Sequence, residues 1–311
     1  MGRRLLAAIL LGVLAVGAGL LAFGPPRIGD APDLVWGEHG GTRDGTFSRA
    51  RAAAIDHEDR LFVVDFTARI QAFDLDGKHL GATWTTPDFR NGRPSGLGID
   101  NEGHLIVCDS HYHCLRVYTA DGKELRKIGG EAGKKPGQWG YVSDCVQDRD
   151  GNYYVSEFGE NDRITKLDRD GKFVACWGES GQGPGRFNRL RALALLPGGS
   201  LLYVADACNH RVQVFDLDGK FVRQFGEPGD GLGQFRYPYD VAFGPDGELY
   251  VAEYGNHRVQ KFAPDGTPLG SWGSPGKGPG QLANPWAVVV DRRGRVHVID
   301  TDNHRVQRVR F

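Results

Sequence analysis

Apolar and polar residues alternate along this chain over short stretches rich in β-branched and aromatic side chains, as in Leu201-Leu202-Tyr203-Val204 and Arg211-Val212-Gln213-Val214-Phe215. A two-residue period is that of half-buried strands. The runs are punctuated by Asp-Gly at Asp76-Gly77, Asp121-Gly122, Asp170-Gly171, Asp218-Gly219 and Asp265-Gly266, so this turn returns every 45 to 49 residues. Asp-Gly between two such runs predicts a hairpin, because a type I′ turn needs positive φ at both central residues. A second turn series through Asp59, Gly103, Gly151, Gly199, Gly247 and Gly294 keeps a similar spacing. Two independent markers sharing one period predict a repeat architecture.

Each unit reads as four strands. In the fifth, Asp240 to Phe243 is the inner strand, Leu249 to Ala252 the second, Arg258 to Phe262 the third and Pro268 to Trp272 the outer one. Outer strands end on a large apolar residue, usually followed by Gly, at Trp36, Trp84, Ile128, Trp177, Phe225 and Trp272. Residues 287 to 311 supply only three strands, while Leu34 to Gly37 is an outer strand with no unit of its own. The N-terminal strand is therefore predicted to complete the last unit, which removes the open edge a linear array would leave. The expected fold is all-β: a six-bladed β-propeller of four-stranded blades over residues 28–311.

Composition adds little to this and excludes some functions. Gly is 46 of 311 residues, about twice the usual ~7%, in keeping with many turns and few long helices. A net charge of -1 gives no overall basic field, which makes nucleic acid an unlikely partner. Gly2-Arg3-Arg4 precedes an uncharged run from Leu5 to Phe23. Residues 1–27 are expected to be a signal peptide or a signal-anchor helix, making the remainder extracytoplasmic, either secreted or membrane-anchored. The five Cys (108, 114, 145, 176, 208) are odd in number and match no zinc ribbon or finger. A Cys108–Cys114 bridge across one hairpin stays open at this point.

Three near-identical segments, Asn209-His210-Arg211-Val212-Gln213, Asn256-His257-Arg258-Val259-Gln260 and Asn303-His304-Arg305-Val306-Gln307, each follow a strand ending in Asp or Glu. Together with linkers such as Gly276-Lys277-Gly278-Pro279-Gly280-Gln281, they make residues 34 to 311 resemble the NHL-repeat propellers. The resemblance implies the fold more than the function, since such propellers serve as protein-binding platforms, RNA-binding modules, extracytoplasmic sensor domains and, in the peptidyl-hydroxyglycine amidating lyase, an enzyme. The repeated His (His210, His257, His304) is expected to hold its own blade together, and the Arg after it (Arg69, Arg163, Arg211, Arg258, Arg305) to pair with the acid ending the preceding strand (Asp65, Glu157, Asp206, Glu253, Asp300).

The lyase resemblance would place zinc-binding His at the start of inner strands, but those positions are Arg51, Ser95, Ser143, Arg191, Tyr239 and Trp286. A gluconolactonase-like metal site would have only Asp144 and Asp240 to draw on. Blade two departs from the pattern: Asp109-Ser110-His111-Tyr112-His113-Cys114 has Cys where Arg is expected. That substitution leaves Asp109 open as a metal or proton-transfer group with His111 and His113, which would share a face if they alternate on a strand.

The connections from outer to inner strands carry Arg49, Arg51, Arg90, Arg93, Arg186, Arg189, Arg191 and Arg236 with Tyr141, Tyr237, Tyr239 and Trp286. Propeller topology puts these loops on one face, around the channel mouth. A face rich in Arg and aromatic groups and poor in acid is composed like a recognition surface. The expected function is a non-catalytic extracytoplasmic binding or scaffold propeller taking a protein, peptide, glycan or other anionic ligand through Arg51, Arg93, Ser95, Ser143, Arg189, Arg191, Tyr237, Tyr239 and Trp286. The alternative is a metal-dependent hydrolase or lyase at the same mouth. No cofactor is expected, and a divalent metal is left open, with Asp109, His111, His113, Asp144 and Asp240 as its candidate ligands.

Overall fold

The computed structural model describes residues 31–88, 93–159 and 161–311. The expected export segment, 1–27, and Arg90 lie outside the described residues.

Six four-stranded antiparallel sheets form the blades of a β-propeller. Blade 1 runs Ala52–Ile55, Leu61–Val64, Arg69–Phe73 and His79–Thr85 from the inner to the outer strand. The inner strands of blades 2 to 5 are Gly96–Ile99, Tyr141–Gln147, Leu190–Leu195 and Pro238–Phe243. Blade 6 takes Ala287–Val290, Arg295–Asp300 and Arg305–Arg310 from the C-terminal end and Leu34–Trp36 from the N-terminal end. The closing strand lies antiparallel, with Leu34 opposite Arg308, Val35 opposite Gln307 and Trp36 opposite Val306. Arg308 clamps it, donating to Asp33 at 2.8 Å. The strand ends at Trp36 rather than at Gly37. Gly37 has φ +91°, and a Cβ there would sit 2.6 Å from the Phe47 ring.

Burial follows from this geometry. Middle strands are covered on both faces by neighbouring blades, so Leu61–Val64 and Arg69–Phe73 are buried throughout, whereas outer strands such as Phe173–Trp177 and Phe221–Phe225 alternate. The core is accordingly divided into six clusters, one per junction between blades. The repeated outer aromatic has a defined seat, the Asp-Gly turn of the next blade. A Cβ on Gly219 would be 2.5 Å from Trp177, and Gly219 also has φ +86°. This turn therefore needs glycine for two separate reasons.

All five cysteines are free thiols. A Cys108–Cys114 bridge is ruled out by register: Cys108 lies opposite Leu115 and Cys114 opposite Asp109, so the two thiols point to opposite faces of the hairpin. Among the described residues no helix is long and apolar enough to cross a membrane.

Candidate functional site

The repeated polar motif is spent on architecture. In blade 4, Asp206 accepts from Asn209 Nδ2 at 2.8 Å, Arg211 Nε at 2.8 Å, Gln213 Nε2 at 3.0 Å and the Asn188 N–H at 2.8 Å. The Arg211 fork then donates to the carbonyls of Gln182, Gly183 and Arg186, each at 2.8 Å, fastening the Gly-rich linker that precedes its own blade. Arg163, Arg258 and Arg305 pair through Nε with Glu157, Glu253 and Asp300 in the same way, and Arg69 reaches Asp65 through its fork at 3.4 Å. Each His reaches the next blade: His210, His257 and His304 accept through Nδ1 from the N–H groups of Tyr237, Asn284 and Arg49 at 3.0 to 3.2 Å. The His therefore joins neighbouring blades rather than bracing its own.

The blade-two candidates resolve the same way, against the sequence expectation. Arg116 donates to Asp109 at 2.8 Å. It stands two residues beyond Cys114 and hence on the same strand face, so it replaces the missing Arg. His111 lies in the 3-10 turn Ser110–Tyr112, and His113 caps that turn in the left-handed region at φ 53°, so the two do not alternate on a strand. Both rings pack on Tyr141 instead, and His113 donates from Nδ1 to the Gly140 carbonyl at 2.7 Å.

The six positions that begin the inner strands, Arg51, Ser95, Ser143, Arg191, Tyr239 and Trp286, come together around the axial channel and line a cavity of about 290 Å³. Its two sides differ. On the side of blades 2 and 3 the serines are occupied: Ser95 meets Ser110 at 2.6 Å and donates to the Val142 carbonyl at 3.0 Å, and Ser143 meets Ser156 at 2.8 Å. The rest of the ring is cationic and aromatic. Arg51 lies 4.5 Å from the Phe66 ring centre and 5.0 Å from that of Trp286. Arg191 lies 5.0 Å from the Trp286 centre and 4.7 Å from that of Tyr239. Arg93 stacks on Phe66 at 3.8 Å, and Arg189 approaches Phe158 at 5.6 Å. Tyr237 is exposed on the outer side of this arc, against His210. Phe66, Trp286, Tyr239 and Phe158 thus carry a continuous series of arginines across the mouth, with cation–π attraction as its cement.

Among the described residues, no carboxylate lies within ion-pairing distance of Arg51, Arg93 or Arg191, and no side-chain hydrogen bond from any of the three is seen. Nε of Arg51, Nε of Arg191 and Nε1 of Trp286 are buried without a partner. Burial, followed by the neighbouring Arg191, Arg93 and Arg49, pulls Arg51 down to about 10. Burial pulls Arg191 down to about 10 as well. His111 is held below its ordinary value by burial and then by Arg51 and Arg93.

Asp144 and Asp240 lie on the channel wall, where each reaches across to another blade. Asp144 accepts from the Leu193 N–H of blade 4 at 2.8 Å, and Asp240 from the Val288 N–H of blade 6 at 2.8 Å. Burial raises Asp144 to about 7, and burial followed by the charge of Asp144 raises Asp240 well above the carboxylate range. A divalent ion needs several uncommitted, ionised donors. Two carboxylates, each already accepting a backbone N–H, supply fewer donors than such an ion needs. No group of three or more His, Cys, Asp or Glu able to hold a metal occurs among the described residues.

Sequence reasoning missed Phe66, Phe158 and Tyr254. Each directly follows the acid that ends a second strand, where the other blades carry Ser110, Ala207 and Thr301. That recurring position was the available signal.

This arrangement, six four-stranded blades around an axial channel with the ring closed by the N-terminal strand, defines the chain as a six-bladed β-propeller. The NHL-repeat profile matches residues 91–118, 187–215, 235–262 and 282–309, in blades 2, 4, 5 and 6. The chain thus carries four NHL repeats within a six-bladed β-propeller. In the unmatched blades 1 and 3, the His position is held by Ala68 and Asp162. No curated protein sequence matches the chain. Among solved structures it is similar to a gluconolactonase from Xanthomonas campestris, with TM-score 0.64 and 17% identity over 91% of this chain and 98% of that one. A streptogramin B lyase gives TM-score 0.61 and 14% identity over 87% and 95%. The WD40 propeller domain of Doa1 gives 0.59 and 16% over 86% and 79%. Two enzymes and a WD40 domain at such identities share the fold with this chain and leave its function unresolved.

Proposed function

We propose that this protein is a non-catalytic extracytoplasmic binding propeller that captures a protein, peptide or glycan by an acidic group at the channel mouth. One observation carries the reading: Arg191 is 5% exposed, yet among the described residues no carboxylate lies within ion-pairing distance of it, Asp240 and Asp144 acting on it only from farther off. Taking a guanidinium out of water without a counter-charge costs several kcal/mol, and a bound anion would return that energy. Arg51, Arg93 and Arg189 extend the cationic surface outward, and Tyr239, Tyr254 and Trp286 supply flat apolar area beside it. The uncharged run Leu5 to Phe23 behind Arg3-Arg4 supports a secreted or membrane-anchored location.

The rival reading is a hydrolase or lyase at the same mouth, since two of the structural neighbours are a gluconolactonase and a streptogramin B lyase. A metal-dependent version has only Asp144 and Asp240 to draw on, and their oxygens are committed. The test is binding of matched acidic and neutral peptides and oligosaccharides to the full chain. The expected outcome is a preference for acidic members that is lost in Arg51→Ala/Arg191→Ala without a fall in melting temperature. Undiminished capture by the double variant would overturn the reading.

A further inference from the structure

We infer that the ligand's charged end is a compact oxyanion seated inside the channel mouth between Arg51 and Arg191, and that Asp144 and Asp240 make its binding proton-linked. The inference rests on the binding reading above and adds the chemical class and its regulation.

The class follows from which hydrogen-bonding groups are already used. Ser95, Ser110 and Ser143 are engaged with one another, with Ser156 and with backbone carbonyls, while Asp144 and Asp240 accept backbone N–H groups. The unpartnered buried atoms at the mouth are all donors: Nε of Arg51, Nε of Arg191 and Nε1 of Trp286. A complementary ligand group must supply acceptors and negative charge, which is the chemistry of a carboxylate, phosphate or sulfate. The site is also compact. Both guanidinium carbons lie 5.0 Å from the centre of the same Trp286 ring, so at most twice that distance separates the two cations. They come from blades 1 and 4, on opposite sides of the channel, so an anion between them is gripped from both sides.

The proton linkage follows from what lies beneath. Asp144 bonds the N–H of Leu193, two residues along the strand from Arg191. Asp240 adjoins Tyr239, whose ring stacks on the Arg191 guanidinium. The ionisable groups around the two carboxylates are Arg191, each other, and the thiols of Cys108 and Cys145, which burial keeps protonated. When Asp144 and Asp240 are neutral, Arg191 faces the mouth as an uncompensated cation. An ionised Asp144 supplies the counter-charge itself and repels an incoming anion. Binding therefore takes up a proton as pH rises through about 7, the value to which burial raises Asp144.

Calorimetry on the full chain with sodium sulfate and sodium oxalate tests this, since both anions keep their charge between about pH 6 and 8.5 and a pH effect then belongs to the protein. Affinity is expected to fall about tenfold over that range, and titration at about pH 7.5 in two buffers of different ionisation enthalpy should register proton uptake. Tighter oxalate binding assigns a carboxylate ligand, and tighter sulfate binding a phosphate or sulfate ester. Asp144→Asn and Asp240→Asn, made separately, keep an oxygen for the Leu193 and Val288 N–H groups. Each should flatten the pH dependence while binding persists. His111→Asn controls for the imidazole that interacts electrostatically with Arg51 and Arg93, and should leave the dependence in place. Absence of binding by either anion at any pH overturns the underlying binding reading. Binding without proton uptake, or a dependence that disappears only in His111→Asn, overturns the linkage and leaves that reading standing.

Discussion

Arg211 and Arg191 are equally buried, each 5% exposed, and lie in the same blade. Arg211 gives Nε to Asp206 and its fork to three linker carbonyls. Arg191 has aromatic faces around it and no hydrogen-bond partner among the described residues. Burial is therefore no guide to purpose here; partner count is. The first arginine closes a structural unit, and the second stores an unmet demand for negative charge at the one place where all six blades converge.

The sharpest way to break this comparison is to remove each arginine in turn. Arg211→Ala strands a buried carboxylate and is expected to cost about 3–5 kcal/mol in denaturant unfolding. A loss below about 1 kcal/mol would show that the repeated pair does not hold the blade. Next in size is a pH effect. Asp144 is raised from 3.8 to about 7 in the folded protein, so the folded state binds more protons than the unfolded one over that interval, and stability falls as pH rises through it. The contribution is at most about 4 kcal/mol. Asp240, pushed the same way, adds to the slope. Asp144→Asn should flatten its share of the profile, and an unchanged slope would place the titration elsewhere.

Smaller effects sharpen the contrast. Arg116→Gln leaves Asp109 without its cation and should cost about 2 kcal/mol, while adding Cys114→Arg restores the arrangement of the other blades and should recover most of that loss. No recovery would mean that the two positions are not interchangeable. Arg191→Met, which removes an uncompensated charge while keeping volume, should gain about 1 kcal/mol in the anion-free protein. A clear loss there would make Arg191 a structural residue after all.

The ring, its blades and its closure were legible because they rest on short-range patterns: Asp-Gly turns, two-residue alternation, and an acid followed at fixed distance by Arg. The site was half legible. Arg51, Arg191, Tyr239 and Trp286 could be aligned by counting from each inner strand, and the counting brought them to one mouth. The aromatic scaffold beneath them could not be separated from strand ends, since Phe66 and Phe158 look like ordinary terminal hydrophobics until the arginines over their rings are seen. Asp144 and Asp240 read as free ligands because their true partners, backbone N–H groups of Leu193 and Val288, lie 49 and 48 residues away and carry no side-chain signature. Blade two misled through a two-residue displacement. The lost Arg at Cys114 was conspicuous, and its replacement at Arg116 was hidden in the position usually held by Gln.

The pairing of Leu34–Trp36 with Arg305–Arg310 also sets an order of events. Leu34–Trp36 is made long before Arg305–Arg310, so the circle stays open until that strand emerges and shuts in a late, long-range step of the kind that slows folding. Until then the Phe47 and Phe73 surfaces that Trp36 covers remain uncovered. A pull on the N-terminus would meet this same clasp first, and blade 6 would be the place where the ring opens.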